Sequence, residues 1–279
     1  GYLGALIPEE YGGSGLGIAE ASIILEEVNR SGGNSGACHA QMYIMGTLLR
    51  HGSEEQKRQY LPAIAAGDLR LQAFGVSEPT TGSDTTQIRT AAVRRGDRYV
   101  VNGQKIWISR AEHSDLMLLF VRTTPPDQVK KRTEGLSALL VDLRDGAGRG
   151  LTTRPIRTMM NLATTVVFFD YFEVPAENLI GEEGQGFRYL LDGLNAERIL
   201  IAAECIGDGR WFIERSSNYA RERVVFGRPI GQNQGVQFPI SRAYVNVEAA
   251  DLMRIRASTL FDAGQACGAE ANMAKLLAA

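Results

Sequence analysis

Cysteine is scarce. The 279 residues hold three, Cys38, Cys205 and Cys267, spaced far apart. They fit neither a disulfide framework nor a zinc site and point to a reducing compartment. Histidine is as sparse. His39, His51 and His113 are scattered and no H-E-x-x-H occurs, so no metal site is expected and the three should be structural or exposed. No apolar run approaches the roughly 18 residues that span a bilayer. The opening GYLGALIPEEYGG lacks the basic start of a signal or transit peptide. Charge of one sign is missing too: the net charge is −2, which gives no reason to expect nucleic acid or a membrane as partner. There is no repeat and no low-complexity tract. Glycine clusters at 12–17 (GGSGLG), 146–150 (GAGRG) and 181–186 (GEEGQG) do not complete G-x-G-x-x-G, and no P-loop is present.

What is present describes a globular chain with a sizeable core: 44% hydrophobic and 22% charged residues, at a length that allows two domains. The 25 arginines against 5 lysines reflect the coding bias of a GC-rich bacterial genome, so a bacterial cytoplasm is the expected setting, or a mitochondrial matrix if the source is eukaryotic. Without an initial Met, the chain is expected to begin inside a longer protein.

Hydrophobic periodicity divides the sequence in three. From Gly17 to about Ala66 it is helical, and Ser53 three residues before Gln56 suits a capping box. From about Arg70 to Val174 the period falls to two, with strands in LQAFGVSE, RTAAVRRGDRYVVNGQKIWIS, DLMLLFVRT, LSALLVDL, LTTRPI and TVVFFDYFEV. RRGDRY and Asn102-Gly103 read as hairpin turns, and residues 123–135 as a mobile surface loop. After Gly181 the helical period returns. Strands do not alternate with helices, so a doubly wound parallel sheet is not expected. The expected domains are a helical 1–69, a β-domain 70–180 and a helical bundle 181–279.

Four stretches carry candidate chemistry. In LNAERILI (194–201), Glu197 shares a helix face with Leu190, Leu194, Ile201 and Cys205, and its neighbours three and four residues away offer no counter-charge. A buried carboxylate is either paired with a distant cation or has its pKa raised toward a useful base. In FGVSEPTTGSD (74–84), Ser77 and Ser83 offer hydroxyls and Gly82 permits close backbone approach, although the same residues make ordinary turns. In NGQKIWIS (102–109), Trp107 could stack on a planar ring or be a core tryptophan. In RERVVFGRPIGQNQ (221–234), Arg223 could hold a phosphate or simply end a helix.

Together these motifs, with PEEYGGSGLG (8–17), GSEEQKRQYLPAIAAGD (52–68) and FFDYFEVPAENLIGEEGQGF (168–187), stand in the order and spacing of the acyl-CoA dehydrogenases, and the chain resembles that family over essentially its whole length. The resemblance implies an α+β fold: an N-terminal helical domain, a middle β-barrel-like domain of short antiparallel strands and a C-terminal helical bundle. It implies FAD as cofactor, an acyl-CoA substrate oxidised to the 2-enoyl-CoA, and electron-transferring flavoprotein as acceptor. By the same comparison, further helix is expected before the first motif and about two helices after MAKLLAA.

The resemblance also implies residue roles. Phe74, Val76 and Ser77 resemble the segment at the flavin pyrimidine edge, with Ser77 in place of the more usual Thr. Gly82 and Ser83 resemble the contact to FAD phosphate and acyl-CoA. Trp107 with Ile108 and Ser109 resembles the strand beside the flavin, Ser109 near N5. Arg223, Phe226 and Gln234 resemble the group that holds the adenosine diphosphate end of FAD in a neighbouring subunit, which implies an oligomer, by default a homotetramer. Asn195 and Arg198 match positions near the substrate, where Asp is commoner than the Asn at 195. Most of the family carries its catalytic Glu in a C-terminal loop. Enzymes similar to the isovaleryl and long-chain dehydrogenases carry it in a Glu-Arg pair on this helix, as Glu197-Arg198 stands here. In the family the base removes the α-proton of the thioester while the β-hydride goes to flavin N5. An acyl-CoA oxidase, a nitroalkane-oxidase-like enzyme or a flavin monooxygenase would share the fold, and a non-catalytic scaffold is the remaining alternative.

Overall fold

The computed structural model describes residues 2–144, 146, 148–160 and 163–279. It begins with α1 (Ile18–Arg30), α2 (Gly36–His51) and α3 (Glu54–Ala66). α3 starts at the expected capping box: Ser53 Oγ accepts from Gln56 N at 3.2 Å and Gln56 Oε1 accepts from Ser53 N at 3.0 Å. It ends at Gly67, whose φ of 88° is the left-handed stop glycine permits.

Eight strands follow: β1 (Leu71–Gly75), β2 (Ala91–Arg95), β3 (Arg98–Ser109), β4 (Leu116–Arg122), β5 (Leu136–Asp142), β6 (Leu151–Pro155), β7 (Thr164–Pro175) and β8 (Leu179–Ile180). They form one sheet in the order β6-β7-β3-β2-β4-β5-β8, with β1 beside β4. Its ladders are antiparallel except for β1–β4 and a single β2–β4 pair, which are parallel. The sheet stops short of a closed barrel among the described residues. β4 is buried along its full length, as its unbroken apolar run requires, and Tyr99, Val101, Leu119, Val141 and Phe169 belong to the core it shares with its neighbours.

One turn assignment is corrected. Residues Arg95–Arg98 do close the β2–β3 hairpin, but Asn102-Gly103 lies inside β3. Register slips there between Val101 and Gly103, and the extra residue belongs to β7. Gly103 has φ 148°, and a Cβ on it would meet Thr90 at 2.7 Å. The Asn-Gly pair serves a bulge and a close approach rather than a reversal.

The chain then forms α4 (Gly186–Glu222), a small hairpin of β9 (Val224–Val225) and β10 (Arg228–Pro229), α5 (Gln234–Asp262) and α6 (Gly268–Ala278). It resolves into two compact units, one of residues 3–15 and 40–193, the other of residues 16–39 and 194–279 together with Tyr2. Within the second unit, Asp262 at the end of α5 caps α1, accepting from Ile18 N at 2.7 Å and Ala19 N at 2.9 Å. Buried Glu26 of α1 accepts from Arg210 of α4 and from Arg254 of α5. Asp251 accepts from the same two arginines. Gly207 lets α4 approach α1, because a Cβ there would meet Glu26 O at 2.3 Å. Among the described residues no helix is long and apolar enough to cross a membrane.

Candidate functional site

The first unit gathers the β-domain candidates. Trp107 is not a core residue: it is 60% exposed. β3 carries one extra residue between Lys105 and Ile108, opposite β7, and this bulge gives Trp107 a left-handed φ of 62°. A bulky side chain in that region is strained, and such strain persists where surrounding structure enforces it. Ile108, by contrast, is buried, and its carbonyl accepts from Thr165 Oγ1 at 3.0 Å. Ser109 is half-buried at the end of β3.

The FGVSEP segment lies against this bulge: Ile106 N donates to Ser77 O at 2.9 Å. The Phe74 ring is edge-on to Tyr43 and Phe120, with centroids 5.4 and 5.7 Å away, so its packing fixes the end of β1 and leaves recognition to backbone. Val76 is buried and Ser77 half-buried. Glu78 and Thr81 exchange backbone bonds of 2.8 and 3.0 Å, a turn that delivers Gly82 and Ser83 to the surface. A Cβ at Gly82 would meet no protein atom within 4 Å, so packing within the chain does not demand glycine there. An exposed indole on a bulge, two hydroxyls and an open glycine fit a planar, hydrogen-bonding ring with a phosphate tail.

The sequence reading passed over what ties these motifs together. Lys105 is fully buried; its Nζ donates to Val76 O at 3.0 Å and to Glu78 Oε1 at 2.9 Å. Glu78 also accepts from Arg89 N at 2.8 Å and Thr90 N at 2.9 Å. Burial pulls the Lys105 ammonium down to about 8 against the upward pull of Glu78. Burial pushes Glu78 up, but Lys105 and the Thr90 and Arg89 donors outweigh it and hold its carboxyl below the usual range. The signal was available: the Glu sits within SEP and the Lys within NGQK.

The second unit holds Glu197. Ala196, Ile199, Leu200, Ala203 and Ile206 form the buried face of α4, and Leu194, Asn195, Glu197, Arg198, Ile201 and Cys205 lie on a half-buried seam beside it. Burial raises the Glu197 pKa; His39, Arg198 and Lys275 pull it partly back and Glu204 pushes it further up. Among the described residues no ion pair or side-chain hydrogen bond to Glu197 is found, and His39, Arg198 and Lys275 act on it only through their charge. Arg198 Nη1 instead donates to Asn195 Oδ1 at 3.3 Å. One helical turn or two further on, Glu204 is buried and bonded, accepting from Ser35 Oγ and lying 3.3 Å from His39 Nδ1. The carboxylate the sequence did not single out is therefore the one with partners.

The third group lies where α4 gives way to α5. Arg223 follows the last turn of α4, its N–H donating to Tyr219 O at 2.8 Å. Phe226 at the hairpin tip is 100% exposed with φ 51°, and Gln234 opens α5, exposed. Arg223, Phe226 and Gln234 thus share one short, exposed connection. Among the described residues no cluster of three or more metal-ligating side chains is found.

Known proteins resemble the chain along its entire length. Family models described as acyl-CoA dehydrogenase N-terminal, middle and C-terminal domains match residues 1–68, 73–171 and 184–279. An acyl-CoA dehydrogenase of Bacillus subtilis (strain 168) is 37% identical over 281 aligned residues, covering 100% of this chain and 73% of the relative. The crystal structure of acyl-CoA dehydrogenase from Geobacillus kaustophilus aligns with a TM-score of 0.89 at 32% identity, covering 99% of this chain and 72% of that one. The structure described as the FAD complex of PigA aligns with a TM-score of 0.90 at 28% identity, covering 99% and 72% respectively.

Proposed function

Since the chain belongs to the acyl-CoA dehydrogenase family, we propose that it oxidises an acyl-CoA thioester to the 2-enoyl-CoA, with Glu197 as the base that removes the α-proton. The observation that carries this reading is the state of Glu197: a half-buried carboxylate with a raised pKa and, among the described residues, no cation bonded to it. Such a group takes up a proton more readily than an ordinary carboxylate, as the reaction demands. FAD is the cofactor and supplies the acceptor for the hydride leaving Cβ. The residues of this chain bind and orient. Trp107 offers its exposed face to the isoalloxazine ring, and the Phe74–Ser77 backbone with the Ser77 and Ser109 hydroxyls meets its polar edges. Gly82 and Ser83 approach the phosphate and the CoA chain. Asn195 and Arg198 hold the seam beside the base, and Arg198 moderates its charge.

Electron-transferring flavoprotein as the proposed electron acceptor and a homotetramer as the proposed assembly rest on the family resemblance; the domain limits 1–69, 70–180 and 181–279 rest on the periodicity of the sequence, and a bacterial cytoplasm on its composition. The thioester reading is favoured over an oxidase on the same fold by the 37% identity to an acyl-CoA dehydrogenase against 29% to the structure described as a prolyl acyl carrier protein oxidase.

The test is Glu197→Gln. Gln keeps the volume and cannot take the proton. The variant is expected to bind FAD and acyl-CoA, melt normally, and lose anaerobic flavin bleaching by more than the roughly 10²–10⁴ of an assisting residue. Early melting with bleaching intact at low temperature would return Glu197 to a structural role. Appreciable bleaching in a normally melting variant would move the base elsewhere.

A further inference from the structure

We propose that the buried Lys105–Glu78 pair is the positioning device of the flavin site: it ties residues 76–78 to β3 two residues before Trp107, holding the indole and the Ser77–Ser83 segment in one fixed arrangement. This rests on the reading that Trp107 and Ser77 meet the flavin.

The sheet ladder cannot do this itself. Pairing between β3 and β7 is broken from Lys105 to Ile108, so the bulge that throws Trp107 outward must be held from another side. On that side stand Lys105 Nζ on Val76 O and Ile106 N on Ser77 O. Glu78 completes the tether. One carboxylate receives Lys105 from β3 and the Arg89 and Thr90 amides from the approach to β2. Thr90 is in turn the residue against which Gly103 of β3 packs. Arg122 closes the far side of the same segment, donating to Thr86 O at 2.7 Å and to Glu134 O at 2.9 Å. Three chain segments, at residues 76–78, 89–90 and 105, thus converge on one ion pair, and both flavin-edge motifs leave from it.

A merely stabilising role is the weaker account. Desolvating two charges offsets most of their attraction, and apolar replacement of a buried pair is often neutral or better. What the pair supplies that an apolar contact does not is direction: Nζ and the carboxylate fix which carbonyl and which amides lie where. A ring-binding site needs its contacts held within a fraction of an ångström. Neither residue touches the reacting atoms in this account, so both are positioning residues.

The experiment compares wild type, Lys105→Met with Glu78→Gln together, and Trp107→Ala. Each is stripped of FAD and titrated with it, reading flavin fluorescence, the bound absorption spectrum and the melting of the apoprotein. The double variant leaves no stranded charge. It is expected to melt near wild type as apoprotein, yet bind FAD about tenfold or more weakly with a spectrum closer to free flavin. A folded double variant with wild-type affinity and spectrum, while Trp107→Ala loses both, overturns the tether. If Trp107→Ala changes neither, the flavin reading itself falls and takes this inference with it. A second measurement needs no variant. In wild-type apoprotein the Ile106 and Thr90 amides should resist hydrogen exchange before FAD is added. Exchange there as fast as in exposed loops would mean the pair does not preorganise the site, and would overturn the proposal.

Discussion

If Glu197 is the base, as proposed, two demands oppose each other there. Catalysis needs the carboxylate charged, while burial favours its neutral form and raises its pKa. The native state therefore holds a proton that the unfolded state has already released, over a window above the ordinary glutamate value. In that window stability falls as pH rises, and above it the cost of the buried charge is fully present. Two outcomes follow from the same shift. The rate of α-proton removal should rise with pH through an inflection above the usual carboxylate range, followed by stopped-flow bleaching across pH. Glu197→Gln should abolish the excess loss of stability over that window, so that its melting temperature at neutral pH equals or exceeds wild type. An inflection at or below the ordinary value would contradict the burial. Trp107 gives a second case. A core tryptophan truncated to Ala costs about 3–5 kcal/mol. An indole 60% exposed has little burial to lose, so Trp107→Ala should change apoprotein stability by less than about 1 kcal/mol in urea melts. Trp107→Gly should be no worse, since φ 62° suits glycine. Stability loss of core size in both would sink the ring-stacking role. The sequence singled out Trp107 as a ring-stacking candidate, but its exposure was not legible there. Period-two alternation says which side of a sheet a residue faces only while register holds, and the bulge beside Lys105 breaks it.

Elements were legible where local chemistry decides them. The Ser53–Gln56 box started α3, and the apolar run of β4 marked a buried strand. They were misread where one signal serves two geometries. Asn-Gly tolerates left-handed backbone equally in a two-residue turn and in a strand bulge, and only the pairing of β3 with β7 chose between them. They were invisible where the partner is remote: nothing local announces that Asp262 caps α1. The helices of the second unit are joined by the same kind of remote contact. Glu26 and Asp251 share Arg210 and Arg254, with Ser22 Oγ accepting from Arg254 Nη1 at 2.8 Å. Removing one partner of such a buried group leaves charge uncompensated, at about 3–5 kcal/mol. Glu26→Ala should therefore destabilise far more than Glu27→Ala, whose exposed contact to Arg30 is worth at most about 1 kcal/mol. Chemical denaturation of the two variants checks the contrast, and equal losses would show that the network contributes nothing beyond surface charge.

For the whole molecule the decisive residue is Phe226. It stands 100% exposed at the tip of the β9–β10 hairpin with φ 51°, followed by Gly227 at φ 76°. A fully exposed aromatic in a strained backbone gains nothing from its own fold. It gains when something outside its own fold covers it, and Arg223 and Gln234 at the same connection supply the donors a diphosphate would need. α5 beyond it exposes Phe238, Val245, Leu252 and Ile255. We therefore expect an oligomer in which this connection holds the adenosine end of FAD bound by another copy. Phe226→Ala should lower FAD content and the oligomer fraction together in sedimentation read at the flavin wavelength, with apoprotein melting unchanged. Arg223→Ala should do the same. Because the tie runs through the cofactor, stripping FAD from wild type should loosen the assembly in the same way, and restoring it should reverse the loss. A wild-type monomer that retains a full complement of flavin would refute the shared site, since one chain would then hold both ends of FAD by itself.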